Sequence, residues 1–400
     1  MSPPFRADHV GSLLRPGNLA QARKEKNVRV QQQAIRDVVA KQEAVGLQSI
    51  TDGEFSRDWW HLDFLAQLEG VTLRENPGPK FGGTEEQPPI PVITGKLRYA
   101  RQVMVGDFMF LKSITNKTAK FTIPSPSMLH LRGGRAGISR DAYPDMAAFW
   151  HDAAAAYREA IAAFAQAGCT YLQLDDVAFA YLCDAKIRDN CRRNGDDPDA
   201  LPRTYAQTIN QALEGRPEGM TITMHTCRGN FKSAWVAEGG YEPVAEAMFS
   251  SNVDAFFMEF DSARAGGFEP LRFMPRGKRA VLGLVSSKTG ALESKEDLKR
   301  RIDEAQKFVP LEDLCLSPQC GFSSTHHGNQ LSEDEQWRKL ESKDELKRRI
   351  DEAAKHVPLE DLCLSPQCGF SSTHHGNQLT EDEQWRKLER VVEVAREVWR

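Results

Sequence analysis

Three short apolar stretches of this chain each deliver a side chain able to bind a metal. MTITMHT (220–226) ends in His225-Thr226 and runs into Cys227; AFFMEF (255–260) carries Glu259; DLCLSPQ (313–319) runs into Cys320. Imidazole nitrogen, thiolate sulfur and carboxylate oxygen are the donors that Zn2+ accepts in a tetrahedral site. Residues i and i+2 point the same way along a strand, so His225 and Cys227 can face one ion together. A thiolate-rich site favours holding an incoming thiol as a nucleophilic thiolate, below the free thiol pKa of about 8.5. Glu259 has a second reading, an ion pair with an arginine, because a buried carboxylate without a partner is costly. Two further acids, Glu54 in ITDGEF and Asp175 in LQLDD, close other apolar stretches. Acids there suit charge-assisted contacts to a cation in a water-poor mouth.

The elements that must position these groups are legible as alternation. Strand candidates are FRADHVG (5–11), LQSITDG (47–53), KFTIPS (120–125), TYLQLDD (170–176), MTITMHT (220–226), AFFMEF (255–260), RAVLGLV (279–285) and DLCLSPQ (313–319). Helical stretches fit between them, at 31–45 ending at Gly46, at 144–167 from Pro144 to Gly168, and at 294–307 with Ser294 as N-cap. A Ser-Glu-Asp-Glu capping box opens another helix at 332–340. Eight strands alternating with helices predict an α/β fold, a (β/α)8 TIM barrel, whose reactive groups sit at the C-terminal ends of the strands. The Pro- and Gly-rich stretch within 70–105 breaks the alternation and predicts an insertion, a hairpin, after the second strand.

Composition bounds the function. The 400 residues are 40% hydrophobic and 27% charged with a net charge of −4, a globular balance without the basic footprint of a nucleic-acid binder. No apolar run is long enough for a membrane span, and the N-terminal MSPPFRADHVGSLLRP shows no signal peptide, so a cytoplasmic protein with reduced thiols is expected. Residues 341–388 repeat 293–340 with an offset of 48 and five differences: Glu296/Asp344, Asp297/Glu345, Gln306/Ala354, Phe308/His356 and Ser332/Thr380. Two nearly identical terminal copies read as a tandem duplication rather than a solenoid, which needs at least three repeats. The expected organisation is a barrel over 1–340, with 341–400 a duplicate plus a final helix.

Through HVGSLLRP, ITDGEF, LQLDD, HTC, FFMEFD and SPQCGF, residues 5–340 resemble the catalytic half of cobalamin-independent methionine synthase and its shorter single-barrel relatives. The resemblance implies a zinc-dependent transfer of a methyl group from a methylated folate, or another methyl donor, to homocysteine. The zinc would be held by His225, Cys227, Glu259 and Cys320. Gly11 and Ser12 match the groups that hold the amino-acid carboxylate, and Glu54 and Asp175 match the acids of the catalytic site that hold its ammonium. Two departures leave the donor open. There is no room for the N-terminal second barrel of full-length synthases, and GLVSSKTG places Ser286, Ser287 or Lys288 where they carry a histidine after the seventh strand. Epoxyalkane:coenzyme M transferase is similar too and offers a different thiol and electrophile; a zinc-binding pseudoenzyme is the non-catalytic alternative.

Cys320 and Cys368 both occupy SPQCGF. Chain economy favours Cys320, because the seventh strand leads directly into the first copy. The uninterrupted final helix QWRKLERVVEVAREVWR follows only the second copy and argues for Cys368. His326-His327 and His374-His375 lie in polar loops. Cys169, Cys183 and Cys191 are expected to be ordinary thiols on helices or helix ends.

Overall fold

The computed structural model describes residues 10–13, 15–16, 18–44, 48–75, 89–229, 236–260, 262–285, 294–310 and 314–318, with positions 3, 385, 388, 389 and 392. The strands are β1 (Ser49–Ile50), β2 (Glu69–Arg74), β3 (Ile90–Arg98), β4 (Thr118–Pro124), β5 (Tyr171–Asp176), β6 (Thr221–Thr226), β7 (Ala255–Glu259), β8 (Arg279–Val285) and β9 (Leu314–Pro318). The helices are α1 (Leu19–Lys24), α2 (Val28–Ala44), α3 (Leu62–Leu65), α4 (Val105–Ser113), α5 (Met146–Gln166), α6 (Ala178–Tyr181), α7 (Ala185–Arg193), α8 (Leu201–Ala212), α9 (Ala245–Phe249) and α10 (Lys295–Ala305).

Seven strands form one parallel sheet in the order β1-β4-β5-β6-β7-β8-β9. Each new strand adds beside the last one in the chain, with helices in between, which is the winding of a (β/α)8 barrel. Seven of the eight expected barrel strands are therefore present. The first, at 5–11, falls largely outside the described residues. β5 shows why the pattern works: all six residues of YLQLDD are buried, as in a parallel sheet covered on both faces. Leu172 and Leu174 share one face, Gln173 and Asp175 the other.

The excursion after the second expected strand is a hairpin. β2 and β3 pair antiparallel, with a bulge at Gly70, whose φ of +84° and close approach to the Lys96 carbonyl leave no room for a Cβ. Helix α5 begins later than the expected Pro144, because Asp145 is extended and caps the helix through the Ala147 N–H at 3.0 Å. Phe149, Ala153, Tyr157, Ala160 and Phe164 then form its buried face. Helix α2 begins earlier than expected, with the Asn27 side chain accepting from the Val30 N–H. Ser294 caps α10 as expected, accepting from the Asp297 N–H. No helix among the described residues is long and apolar enough to cross a membrane.

The duplicated region divides its work. α10 and β9 come from the first copy, and β9 pairs in parallel with β8. Phe308, which follows α10, packs against the core; its second-copy counterpart is His356. From the second copy and the residues just after it, Trp385, Leu388 and Val392 are buried in the same core, with Lys41 of α2 over the Trp385 ring at 5.4 Å. Their i, i+3, i+7 spacing is a helical stripe. The residues 48 positions earlier are Trp337, Leu340 and Asp344, so only the stretch that runs on from the second copy completes the stripe with an apolar residue.

Candidate active site

Asp175, His225 and Glu259 lie at the C-terminal ends of β5, β6 and β7, with Cys227 just beyond β6 and Glu54 on the loop that follows β1. β5 and β6 are in register so that Asp175 stands opposite His225, and His225 Nδ1 lies 3.4 Å from Asp175 Oδ1. Burial opposes a charge on His225, but the hydrogen bond and charge of Asp175, with Cys227 and Glu259 nearby, hold the imidazole above its usual range. Cys227 follows β6 with its side chain buried and in no disulfide among the described residues.

Glu259 ends β7 and is 1% exposed. Its Oε1 accepts from Arg264 Nη2 at 2.7 Å and its Oε2 from the Arg228 backbone N–H at 2.9 Å. Its own N–H donates to the Tyr241 hydroxyl at 3.0 Å. Arg228, fully buried, lies over the Tyr241 ring and donates to the carbonyls of Gly239 and Glu259. The arginine partner anticipated as the alternative reading of Glu259 is thus present, and it fixes the carboxylate at the mouth. Among the described residues, no three His, Cys, Asp or Glu side chains are grouped closely enough to hold a metal ion. Cys320 and Cys368 lie outside the described residues, as do Ser286, Ser287, Lys288 and the paired histidines. Cys169, Cys183 and Cys191 are buried, in keeping with packed thiols.

A second cluster lies under the HVGS segment. Gly11 has a φ of +152°, and a Cβ there would meet Thr122 Cγ2 at 2.8 Å and Glu54 Oε1 at 3.4 Å. Only glycine takes this φ and lets the segment lie so close to Thr122, beside Glu54. Ser12 beside it is buried. The Thr51 hydroxyl donates to the Gly11 carbonyl at 2.7 Å. Glu54 is itself in the left-handed region, φ 61°, and 3% exposed, with Oε1 3.4 Å from the Thr122 hydroxyl. Its Oε2 is buried and has no hydrogen-bond partner among the described residues. Burial pushes its carboxyl up to about 7; Asp175 adds to this and Arg57 opposes it.

Several contributors escaped the sequence reading. Gln173 Nε2 donates to both the Val10 carbonyl, at 2.9 Å, and Asp175 Oδ1, at 2.7 Å, tying the HVGS segment to the acid. Its signal was a polar residue on an apolar strand, two positions before Asp175. Asp176 anchors the loop after β4 by accepting from the Ser125 and Ser127 hydroxyls. Arg228, Arg264 and Tyr241 gave no local signal.

Fold and strand-end groups together define a TIM-barrel protein with its candidate site at the C-terminal mouth. The family described as cobalamin-independent synthase, catalytic domain, matches residues 11–333, and the chain belongs to that family. The Bacillus subtilis (strain 168) protein YxjH, itself uncharacterized, is 48% identical over 350 residues, covering 84% of this chain and 92% of YxjH. A solved structure from Listeria monocytogenes, a proposed vitamin-B12-independent methionine synthase, is 34% identical with a TM-score of 0.67, covering 100% of this chain and 99% of that one. The B12-independent methionine synthase of Shewanella sp. W3-18-1, solved with selenomethionine, has a TM-score of 0.61 at 18% identity, covering 99% and 97%, and shares the fold.

Proposed function

We propose that the protein is a zinc-dependent thiol alkyltransferase that moves a methyl group from a methylated folate, or another methyl donor, to homocysteine, giving methionine. The observation that carries this reading is Glu54: a buried carboxylate with one oxygen unpaired among the described residues, against Gly11 and within the field of Asp175. A cationic ligand group would satisfy that oxygen, so the pair suits the ammonium of an amino acid. The same feature disfavours coenzyme M, a thiol with no ammonium. Gly11 and Ser12 are assigned to the carboxylate.

His225, Cys227, Glu259 and Cys320 (or Cys368) would hold the zinc, which when bound supplies a Lewis acid that lowers the pKa of a thiol. The donor types suit the ion, and Arg264 and the Arg228 N–H orient Glu259. In the transfer, a sulfur–carbon bond forms as the donor's bond to the methyl breaks. The electron pair leaves with the donor atom, which then takes up a proton. The amino-acid name of the ligand in the Shewanella structure agrees with such a pocket.

The test is elemental analysis of zinc in the parent, Cys320→Ser and Cys368→Ser, with turnover of homocysteine and methyltetrahydrofolate measured on the same samples. One zinc lost only with Cys320→Ser supports the site built on the first copy; loss only with Cys368→Ser moves the ligand to the second. A zinc-free reduced parent refutes the mechanism. Intact zinc without turnover, across a panel of methyl donors, leaves the pseudoenzyme.

A further inference from the structure

Glu54 and Arg57 are buried groups of opposite charge on the loop that follows β1. Each keeps an unsatisfied edge among the described residues: Oε2 of Glu54, and Nε and Nη2 of Arg57. A direct ion pair would satisfy both edges, and buried charges are normally paired. Instead, the Thr122 hydroxyl of β4 stands between them. It accepts from Arg57 Nη1 at 3.2 Å and donates to Glu54 Oε1 at 3.4 Å. Arg57 is held on the same strand, with Nη1 also donating to the Thr122 carbonyl at 2.8 Å and the guanidinium over the Phe121 ring at 5.1 Å. Glu54 is held by its own backbone, whose N–H donates to Asp52 Oδ1 at 2.9 Å. Thr122 Cγ2 faces Gly11, in the space that a Cβ there would need.

We propose that the Thr122 hydroxyl is a spacer that keeps Glu54 from closing onto Arg57, so that Glu54 Oε2 stays open to a cationic group of a ligand. Burial dominates the Glu54 carboxyl and holds it at about 7 although Arg57 opposes the shift, as suits a guanidinium kept one hydroxyl away. Direct contact with Arg57 would hold the carboxyl ionised and occupy the oxygen that the ligand needs. Thr122 acts through Glu54 and is a positioning residue. That the cationic group is the ammonium of an amino acid rests on the proposed function, whereas the separation of the two charges does not.

The full-length protein, isotopically labelled at its glutamate carboxyl carbons, is titrated with pH by NMR, the Glu54 signal being assigned from Glu54→Gln. Methionine binding is measured calorimetrically on the same proteins. Thr122→Val keeps the methyl that faces Gly11 and removes only the hydroxyl. It should lower the Glu54 titration by about one pH unit or more, as Arg57 takes the carboxylate, and weaken methionine binding about tenfold. Thr122→Ser restores the hydroxyl and with it the parent's titration and affinity. A titration that Thr122→Val leaves in place or raises overturns the spacer, as does an equal fall in Thr122→Ser. So does a lowered titration with unchanged affinity in a protein that binds methionine. A parent that binds no methionine, while Thr122→Val still lowers the titration, counts against the alkyltransferase reading alone.

Discussion

Glu54 carries its charge in a place that resists it. Its carboxyl is pushed from the usual 4.5 up to about 7, chiefly by burial, so across that window the folded protein keeps a proton that the unfolded chain has released. Stability therefore falls as pH rises from about 4.5 to 7. Urea unfolding of the parent is expected to show a higher midpoint at pH 5 than at pH 7, and Glu54→Gln to flatten that slope. Asp107, raised to about 6 with burial as the main cause, has the same sign and leaves a residual slope in the variant. The same substitution should lower kcat/KM for homocysteine by about 100-fold, the loss of a charge-assisted contact to a buried cation. Arg264 acts one step further out, through Glu259. Arg264→Met should weaken zinc retention by about 10- to 100-fold in a chelator competition, the usual cost of losing a group that orients a ligand.

The strand β5 joins two parts of the site through one side chain. Gln173→Leu preserves volume but removes the amide donor shared by the Val10 carbonyl and Asp175, leaving Asp175 with His225. It should cost about 1–3 kcal/mol in denaturant unfolding and raise the homocysteine KM more than it lowers kcat. Strands of this kind were legible in the sequence, because a buried parallel strand is a short apolar run and the barrel puts its reactive residue at the C-terminal end. Asp175, His225 and Glu259 stood out as polar residues at those ends. The hairpin β2–β3 was legible too, from the Pro- and Gly-rich stretch that no barrel unit would contain. The roles of Gln173, Arg228 and Arg264 were not: Gln173 ties Asp175 to the distant Val10 carbonyl, Arg228 bonds backbone carbonyls, and Arg264 reaches back to Glu259 through a loop whose path no periodicity encodes. Likewise, Asp145 rather than Pro144 opens α5 because side-chain capping outweighs the preference for proline in the first turn.

At the scale of the molecule, the barrel draws its last strand from one copy of the duplicated segment and its last buried stripe from the other. Phe308 against His356 favours the first copy beside β8, and Val392 against Asp344 favours the second copy for the stripe. Each choice follows from burying an apolar side chain, worth about 1.5–3 kcal/mol. Removing residues 337–384, 48 positions that join Gln336 to Trp385, should keep both choices intact. Calorimetry of that shortened protein is expected to give a single cooperative transition within a few degrees of the parent, with equal turnover. A broadened or much lower transition would mean that the extra copy has become part of the core.

The order of synthesis gives the same arrangement a kinetic side. The two copies carry the same LCLSPQCGF, so either could dock on the exposed edge of β8. On the ribosome the first copy is complete 48 residues before the second, a head start of roughly 2–10 s at ordinary elongation rates. Non-local parallel pairing falls in the range of about milliseconds to a second, still shorter than that head start, so the edge is occupied before its rival exists. Chains refolded from denaturant have both copies present from the first instant. Protein made in the cell and protein renatured in the test tube can therefore differ in which copy pairs with β8, although their sequences are identical.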